Sequence, residues 1–546
     1  MKRKAVAAVL TAVMVASMFT GCGSDNGSSS AKSASAASAA SAANDTVDED
    51  GKVNGIMYQE GLPLVDEGDY TFSIFCDDSS ESGEFIMLDE FKKQTNVDVD
   101  LKIYPYETAT ERLNLDLNSG DYADVIGGWT LSDNAILTYG VNQGVFIPLE
   151  DYFEKYCPNI SAILDLPGVR EKMTAPDGHI YTIPYVCADT TVGYSPYINT
   201  KWLENVGMSM PTTTDEFEAV LKAFKEQDAN GNGDASDEIP FSTDPNNKHI
   251  EAMAGYFGLP MNKLGIAIQD EKVVYGGVSN TYREFLSWFH KLYADGLVDV
   301  ELYTQDSSTW EGKGNQDLYG VSIAYGSNEF TGIPAAEERG DFDSMPVLNT
   351  DKGGIWLRDT EGFSAYRTQA VITNKAEHPE IICRWFDNAF ALENGIGCNR
   401  GPVGVIVNKE DDGYHAIDTT TLSEEDQEKY SWSNLWPQSL PKYLPADFEF
   451  VEEHPMYDEK KATEEAYEAN LTKEIIPSYW IDLDKIDTFS DTNTAIKDFF
   501  EQQQAQFVCG ELDIDNDADW QAYVDGMYSL GLEDWVATQG IEEIAK

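Results

Sequence analysis

Between residues 70 and 126 the apolar pattern alternates between two periods, and this constrains the fold more than any other feature of the chain. Residues 71–76 form a short apolar run of strand length. Phe85, Leu88 and Phe91 then recur at helical spacing within 83–96. Val97, Val99, Leu101 and Ile103 alternate with polar residues, as in a half-buried strand, a helix pattern covers 107–117, and 123–126 is again strand-like. Strand, helix, strand, helix and strand at these lengths predict βαβ units and a largely parallel sheet, hence an α/β fold. Ligands in such sheets bind beyond the carboxyl ends of the strands. The loops 77–82 and 127–132 sit at such ends and carry Asp77, Asp78 and Trp129.

A second half starts near Tyr194. Thr213-Thr214-Asp215-Glu216 reads as a capping box, followed by one apolar face of Phe217, Val220, Leu221 and Phe224. Tyr282, Phe285, Leu286, Phe289 and Leu292 repeat the pattern, with Gly296 as a C-terminal cap. Ile381, Ile382, Trp385, Phe386 and Ala389 make a third helix. Residues 496–507 and 520–530 close the chain as amphipathic helices ending at Gly510 and Gly531. These are core stripes and not cofactor boxes. The roughly 475 residues from Tyr70 onward exceed what one hydrophobic core serves, so two or more lobes are expected.

The first residues predict export. Met1-Lys2-Arg3-Lys4 is a positive leader and 5–19 an apolar run of signal-peptide length. Thr20-Gly21-Cys22 resembles the lipobox of bacterial lipoproteins, with Phe19 where leucine is usual. The expectation is a signal peptide over 1–21, acylation of Cys22, and a flexible Ser/Ala/Gly-rich tether over 22–69, with folded sequence over 70–546. No later segment approaches the ~18 consecutive apolar residues of a membrane span. The lipid is therefore the expected sole anchor, outside the cytoplasm at the cell membrane.

Acidic residues number 96 against 37 basic ones, a formal charge of −59 dispersed along the chain. Such an excess argues against nucleic acid or anionic lipid as a partner and disfavours a strongly anionic substrate. Cys76, Cys157, Cys187, Cys383, Cys398 and Cys509 are widely spaced without a C-x-x-C pair, which excludes a zinc ribbon or thioredoxin-type motif and leaves their pairing open.

The sharpest local motif lies at Asp228-Ala-Asn230-Gly-Asn232-Gly233-Asp234-Ala-Ser236-Asp237-Glu238. It places side-chain oxygens at alternate positions around a tight turn, as a hard cation requires, with Gly233 at the sixth position of an EF-hand-like loop. The twelfth position is Ile239, so Glu238 comes one residue early, and no second EF-hand helix follows. A structural Ca²⁺ that staples the preceding helix to the second lobe is expected.

Several ordered stretches resemble family 1 extracellular solute-binding lipoproteins, the carbohydrate receptors of ABC importers. Asn118-Ser-Gly-Asp-Tyr-Ala-Asp124 resembles the family's SGD-x-PD segment, and Gln143-Gly-Val-Phe-Ile-Pro-Leu149 and Ala175-Pro-Asp-Gly-His-Ile-Tyr-Thr-Ile-Pro184 resemble two further family segments. Asn199-Thr-Lys-Trp-Leu203, Pro211 to Phe217 and the loop from Asp228 to Pro240 follow in the family's order, as do Phe507-Val-Cys-Gly510, Asp519-Trp520 and Tyr523. The similarity runs from about Tyr70 to the end of the chain. It implies a two-lobed, hinged fold of the type II periplasmic-binding-protein kind with extra C-terminal helices. Lobe 1 would take about 70–190 with a returning segment near 360–410, and lobe 2 about 191–355 with much of 411–546. It implies a carbohydrate ligand, ABC permease subunits as partners, a monomer, and calcium on Asp228, Asn230, Asn232, Asp234, Asp237 and Glu238. One extra residue between Asn232 and Asp237 sets this loop apart from the family's spacing.

Sugar recognition needs aromatic faces for apolar sugar faces and polar groups for hydroxyls. Besides Asp77, the candidates are aromatic and cationic residues outside helical stripes. Trp129 follows two glycines, Tyr194 lies near the expected hinge, and Tyr325 ends a strand-like run. Trp356 with Arg358, Arg400 in Cys398-Asn-Arg-Gly401, and Trp436 in a Pro-rich loop complete the set. No G-x-S-x-G, H-E-x-x-H or Walker A sequence is present, and no catalytic residue is expected. A glycoside hydrolase, a receptor for peptides or another solute, and a calcium-dependent adhesin are the alternatives.

Overall fold

The strand Tyr70–Asp77 is apolar along one face and carries Phe75 on the other, and it lies in the interior of a four-stranded sheet. Tyr70, Phe72, Ile74 and Cys76 point into one core, and Phe75 points into a second on the opposite face. The strand runs parallel to Val97–Tyr104 on one side and to Val125–Gly127 on the other, while Ala370–Ile372 joins antiparallel beyond Val125–Gly127. The two crossover helices cover opposite faces: Ile86–Thr95 buries Met87 and Phe91 in the first core, and Tyr106–Ser119 buries Ala109, Leu113 and Leu117 in the other. This matches the alternation expected between 70 and 126.

A second four-stranded sheet has the order Phe342–Ser344, Ser195–Asn199, Tyr319–Ala324, Ile239–Thr243. Tyr319–Ala324 is parallel to Ile239–Thr243 and antiparallel to Ser195–Asn199. Its main core gathers Ile198, Phe241 and Val321 with the stripes of Thr214–Glu226 and Asn280–Ala294, and with Phe500, Phe507, Trp520 and Tyr523 of the C-terminal helices Ile486–Cys509 and Asp517–Ser529. The Thr213 hydroxyl accepts from Glu216 N at 3.2 Å, as a capping residue should, although Glu216 returns its carboxylate to Thr212 rather than to Thr213. Two further strand pairs belong to neither sheet: Tyr185–Ala188 with Phe363–Tyr366, antiparallel, which adds Val186 and Ala365 to the first core, and Trp356–Arg358 with Leu471–Ile475, parallel, which adds Trp356 to the second.

The computed structural model describes residues 45–78, 84–245, 249–332, 340–417, 419–445, 448, 450–451 and 455–546; the leader, Cys22 and the tether up to residue 44 lie outside them. Ordered structure begins well before Tyr70, contrary to the expected tether over 22–69. Lys52–Val53 pairs with Met57–Tyr58, and Val53, Met57, Leu64 and Val65 are buried in the first core. These apolar residues are scattered without a helix or strand period beside the acidic 48–50 segment, yet these four find core positions. Trp436 and Leu440 also pack in the first core, so this part of 411–546 goes with the first sheet. All six cysteines named above are free thiols. Among the described residues no helix is long and apolar enough to cross a membrane.

Candidate ligand-binding site

At the carboxyl end of Tyr70–Asp77 the buried Asp77 carboxylate holds the turn that follows Val125–Gly127. Its oxygens accept from Trp129 N at 3.0 Å, Thr130 N at 2.6 Å and the Thr130 hydroxyl. Gly128 has φ +128°, and a Cβ there would lie 2.3 Å from Asp77 Oδ1, so the carboxylate packs against the turn only because residue 128 is glycine. Burial raises the Asp77 pKa while these hydrogen bonds lower it. Asp77 is thus a positioning residue: it sets Trp129, a residue that remains 46% exposed.

The indole meets Tyr366 edge-on at 5.4 Å and Tyr185 at 6.3 Å, from the paired strands Phe363–Tyr366 and Tyr185–Ala188. Tyr366 donates its hydroxyl to Asp189 at 2.9 Å. Asp189, Tyr366 and Cys187 in turn raise the phenol pKa of Tyr325, after burial as the main cause. Tyr325 directly follows Tyr319–Ala324 at the carboxyl end of the second sheet, and the residue is 38% exposed. The ends of both sheets therefore converge on the same strand pair.

Around Tyr325 the side chains are titratable. Lys460 Nζ lies 3.8 Å from the ring centroid and donates to Gly193 O at 2.8 Å, and burial lowers its pKa to about 8. Glu329 accepts from Tyr325 N at 2.9 Å, and burial pushes its pKa up to about 7 against the effect of that bond. Asp359 accepts from Gly193 N at 2.7 Å and is raised to about 6, mainly by burial. Tyr194 meets Tyr325 edge-on at 6.0 Å and stacks on His249 at 4.0 Å, where burial, with Lys263, lowers the imidazole to about 3.

Of the candidates, Tyr194 and Tyr325 are in ring contact, and Trp129 joins them through Tyr366 and Asp189. Others do not. Trp356 is buried in the core of the second sheet between Tyr256 and Tyr467, and Trp436 is buried against Trp385 at 5.7 Å, so neither indole presents a face to a ligand. Arg358 donates to Thr472 O at 3.1 Å and reaches Glu468 at 3.4 Å, holding a strand pair together. Arg400 donates to Asn399 O, lies 6.0 Å from the Phe450 ring, and is lowered to about 10 by burial. The residues not anticipated are Tyr185, Tyr366, Asp189, His249, Glu329, Asp359 and Lys460. Tyr185 carried one signal, its place in the 184–188 segment before the expected hinge.

The acidic loop closes on itself. Asp237 accepts from the Asn230 and Asn232 amides at 3.3 and 2.7 Å, Gly233 N donates to Asp228 Oδ2 at 3.0 Å, and Asp234 accepts from Ser236 Oγ at 2.6 Å. Glu238 Oε1 accepts from Ala229 N at 2.9 Å. The remaining oxygens, Asp228 Oδ1 and Glu238 Oε2, are buried without a hydrogen-bond partner. Two orphaned carboxylate oxygens from opposite ends of one loop are costly without a cation, so these residues fit a hard metal ion. Elsewhere, a groove of about 710 Å³ along Asn280–Ala294 is lined by Arg283, Lys291 and Trp288, but its cations are paired with Asp517 and Glu218.

Two α/β sheets whose carboxyl ends meet across a shared strand pair, with an exposed indole and phenols between them, define a binding protein that takes its ligand between lobes. The chain belongs to the bacterial extracellular solute-binding protein family, whose model matches residues 78–395. A curated relative, the fructooligosaccharide ABC transporter substrate-binding protein FusA of Streptococcus pneumoniae, is 31% identical over 411 residues, covering 73% of this chain and 70% of its own length. The structure of the S. pneumoniae FusA protein in complex with kestose is similar at TM-score 0.76 and 26% identity, over 86% of this chain and 98% of that one. The FusA EF-hand mutant in complex with fructo-nystose matches at TM-score 0.74 and 27% identity, over 86% and 98%.

Proposed function

We propose that this chain is a lipid-anchored receptor that captures a carbohydrate, most simply an oligosaccharide, and delivers it to the permease of an ABC importer. The observation that carries the reading is the Trp129 indole, held on a buried carboxylate and left exposed beside Tyr185, Tyr366 and Tyr325. An aromatic face fixed in this way suits the apolar face of a sugar ring, and the FusA relative is a fructooligosaccharide-binding protein. The acids Asp189, Glu329 and Asp359 outnumber the neighbouring Lys460, which favours a neutral glycan over a uronate.

In this reading lobe 1 comprises about 45–190 with 360–445, and lobe 2 about 191–355 with 455–546. The open protein samples a closed state, ligand contacts to both lobes stabilise it, and the permease recognises that state as a complex with a single receptor chain. No bond in the ligand is made or broken. Cys22 carries the lipid. Asp228, Asn230, Asn232, Asp237 and Glu238 hold Ca²⁺, which supplies cross-linking charge between the end of Thr214–Glu226 and the start of Ile239–Thr243; Asp234 serves the turn at Ser236.

A thermal-shift screen of the full chain with Ca²⁺ present, against mono- and oligosaccharides, amino acids and peptides, tests the proposal. A rise of several degrees with one glycan family and no release of smaller sugars supports the receptor. A response to peptides alone, or product release from an oligosaccharide, refutes it.

A further inference from the structure

Of the 11 tryptophans only Trp129 and Trp432 are exposed, at 46% and 51%. Both are tied to the same strand end through consecutive carboxylates. Asp77 holds the turn of Trp129 directly. Asp78, also buried, accepts from Gln438 N at 2.8 Å. The Gln438 side chain then donates to Trp432 O at 2.9 Å and accepts from Lys442, whose ammonium lies 5.6 Å from the Trp432 ring centroid. The same loop is fastened again where the Ser439 hydroxyl donates to Asp77 O.

An indole with half its surface in water forgoes most of the gain from burial, and the other tryptophans of this chain are packed away or partly so. Trp432 could have followed Trp436, four residues on, into the first core. Instead its backbone is fastened and its ring is backed by a buried lysine, the arrangement of a platform and not of a loose loop residue. Asp77 ends the strand and Asp78 follows it, so the two carboxylates fasten two loops at one strand terminus.

We infer that Trp432 is a second sugar-stacking platform beside Trp129, so that the end of Tyr70–Asp77 carries two subsites and selects ligands by chain length. This rests on the carbohydrate-receptor reading above. A monosaccharide or disaccharide fills the Trp129 subsite, and longer chains extend onto Trp432.

The test is calorimetric titration of the full chain and of Trp129→Ala, Trp432→Ala and Trp432→Phe with two length series, sucrose–kestose–nystose and maltose–maltotriose–maltotetraose. Trp432→Ala is expected to weaken the longest bound sugar about five- to tenfold and the disaccharide less than about twofold, with Trp432→Phe restoring most of the loss. Trp129→Ala is expected to weaken every length. Trp432→Ala binding every length as wild type does, while Trp129→Ala is impaired, overturns the second platform and leaves the receptor intact. A loss equal at all lengths, accompanied by a lower melting temperature, makes Trp432 a structural residue and also overturns it. No binding of any sugar by the wild type removes the receptor reading and this inference together.

Discussion

The two sheet ends that face the site are built differently. At the first, apolar platforms are held by carboxylates that are buried and hydrogen-bonded to backbone N–H groups: Asp77 under Trp129, and Asp78 under the Gln438 loop. At the second, Tyr325 is held by an ammonium over its ring and a carboxylate on its backbone N–H, Lys460 and Glu329, whose pKa values of about 8 and about 7 lie close to neutral pH. The first end presents indole surface to solvent, with one buried cation, Lys442, behind the Trp432 ring and lowered by burial to about 8. The second end is polar and titratable, suited to hydroxyl groups. A ligand that bridges them gains apolar contact from one lobe and hydrogen bonds from the other, which couples binding to closure.

Substitutions separate these contributions. The largest effect is expected from Trp129→Ala, which should weaken carbohydrate binding by tenfold or more, about 1.4 kcal/mol or above, without lowering the melting temperature in calorimetry. An unchanged affinity would move the platform elsewhere. Asp77→Asn places an amide against the N–H groups of Trp129 and Thr130. It should lower affinity about fivefold and also depress the melting temperature, because a buried charge-assisted bond is lost. Affinity that stays intact while stability falls would show that the turn does not position the indole. Lys460→Met keeps the packing on Tyr325 but removes the cation and its bond to Gly193 O, and about a threefold loss is expected.

The smallest effect is one of pH. Glu329 has a folded pKa of about 7 against an ordinary value of 4.5, raised by burial and by Asp244 and Glu311, with Lys460 opposing. A raised acid contributes stability that is fully present below about pH 4.5 and is lost as pH rises through 7. Asp359, at about 6, acts in the same direction. Glu329→Gln should flatten the fall in melting temperature between pH 4.5 and 7 and leave Trp129-dependent binding unchanged. An unaltered slope would mean that the carboxylate does not titrate in this window.

The same contrast explains what could be read in the sequence. The first end was legible because its features are local: an apolar strand, a helix, and Trp129 behind a glycine pair where a strand stops. The second end depends on tertiary approach. Lys460 and Glu459 lie in Pro455–Tyr467, whose charged sequence reads as a solvated surface helix, and only the fold brings Lys460 under Tyr325 and Glu459 onto Ser327. Trp432 and Trp436 sit in one turn-rich loop without a period to separate them, and stacking on Trp385 decides which is buried. Trp356 was misread for the same reason, because its partners Tyr256 and Tyr467 come from distant segments. The acidic loop was visible as a cation motif, while the orphaned oxygens of Asp228 and Glu238 are visible only in the structure.

The central claim is that one ligand touches both sheet ends. Hydrogen–deuterium exchange of the full chain, with and without saturating kestose, tests it most directly. Simultaneous protection of the backbone amides at 128–131 and at 193–194 and 325–326 is the predicted result. Protection confined to one sheet end, or found only in the groove along Asn280–Ala294, would contradict capture between the lobes.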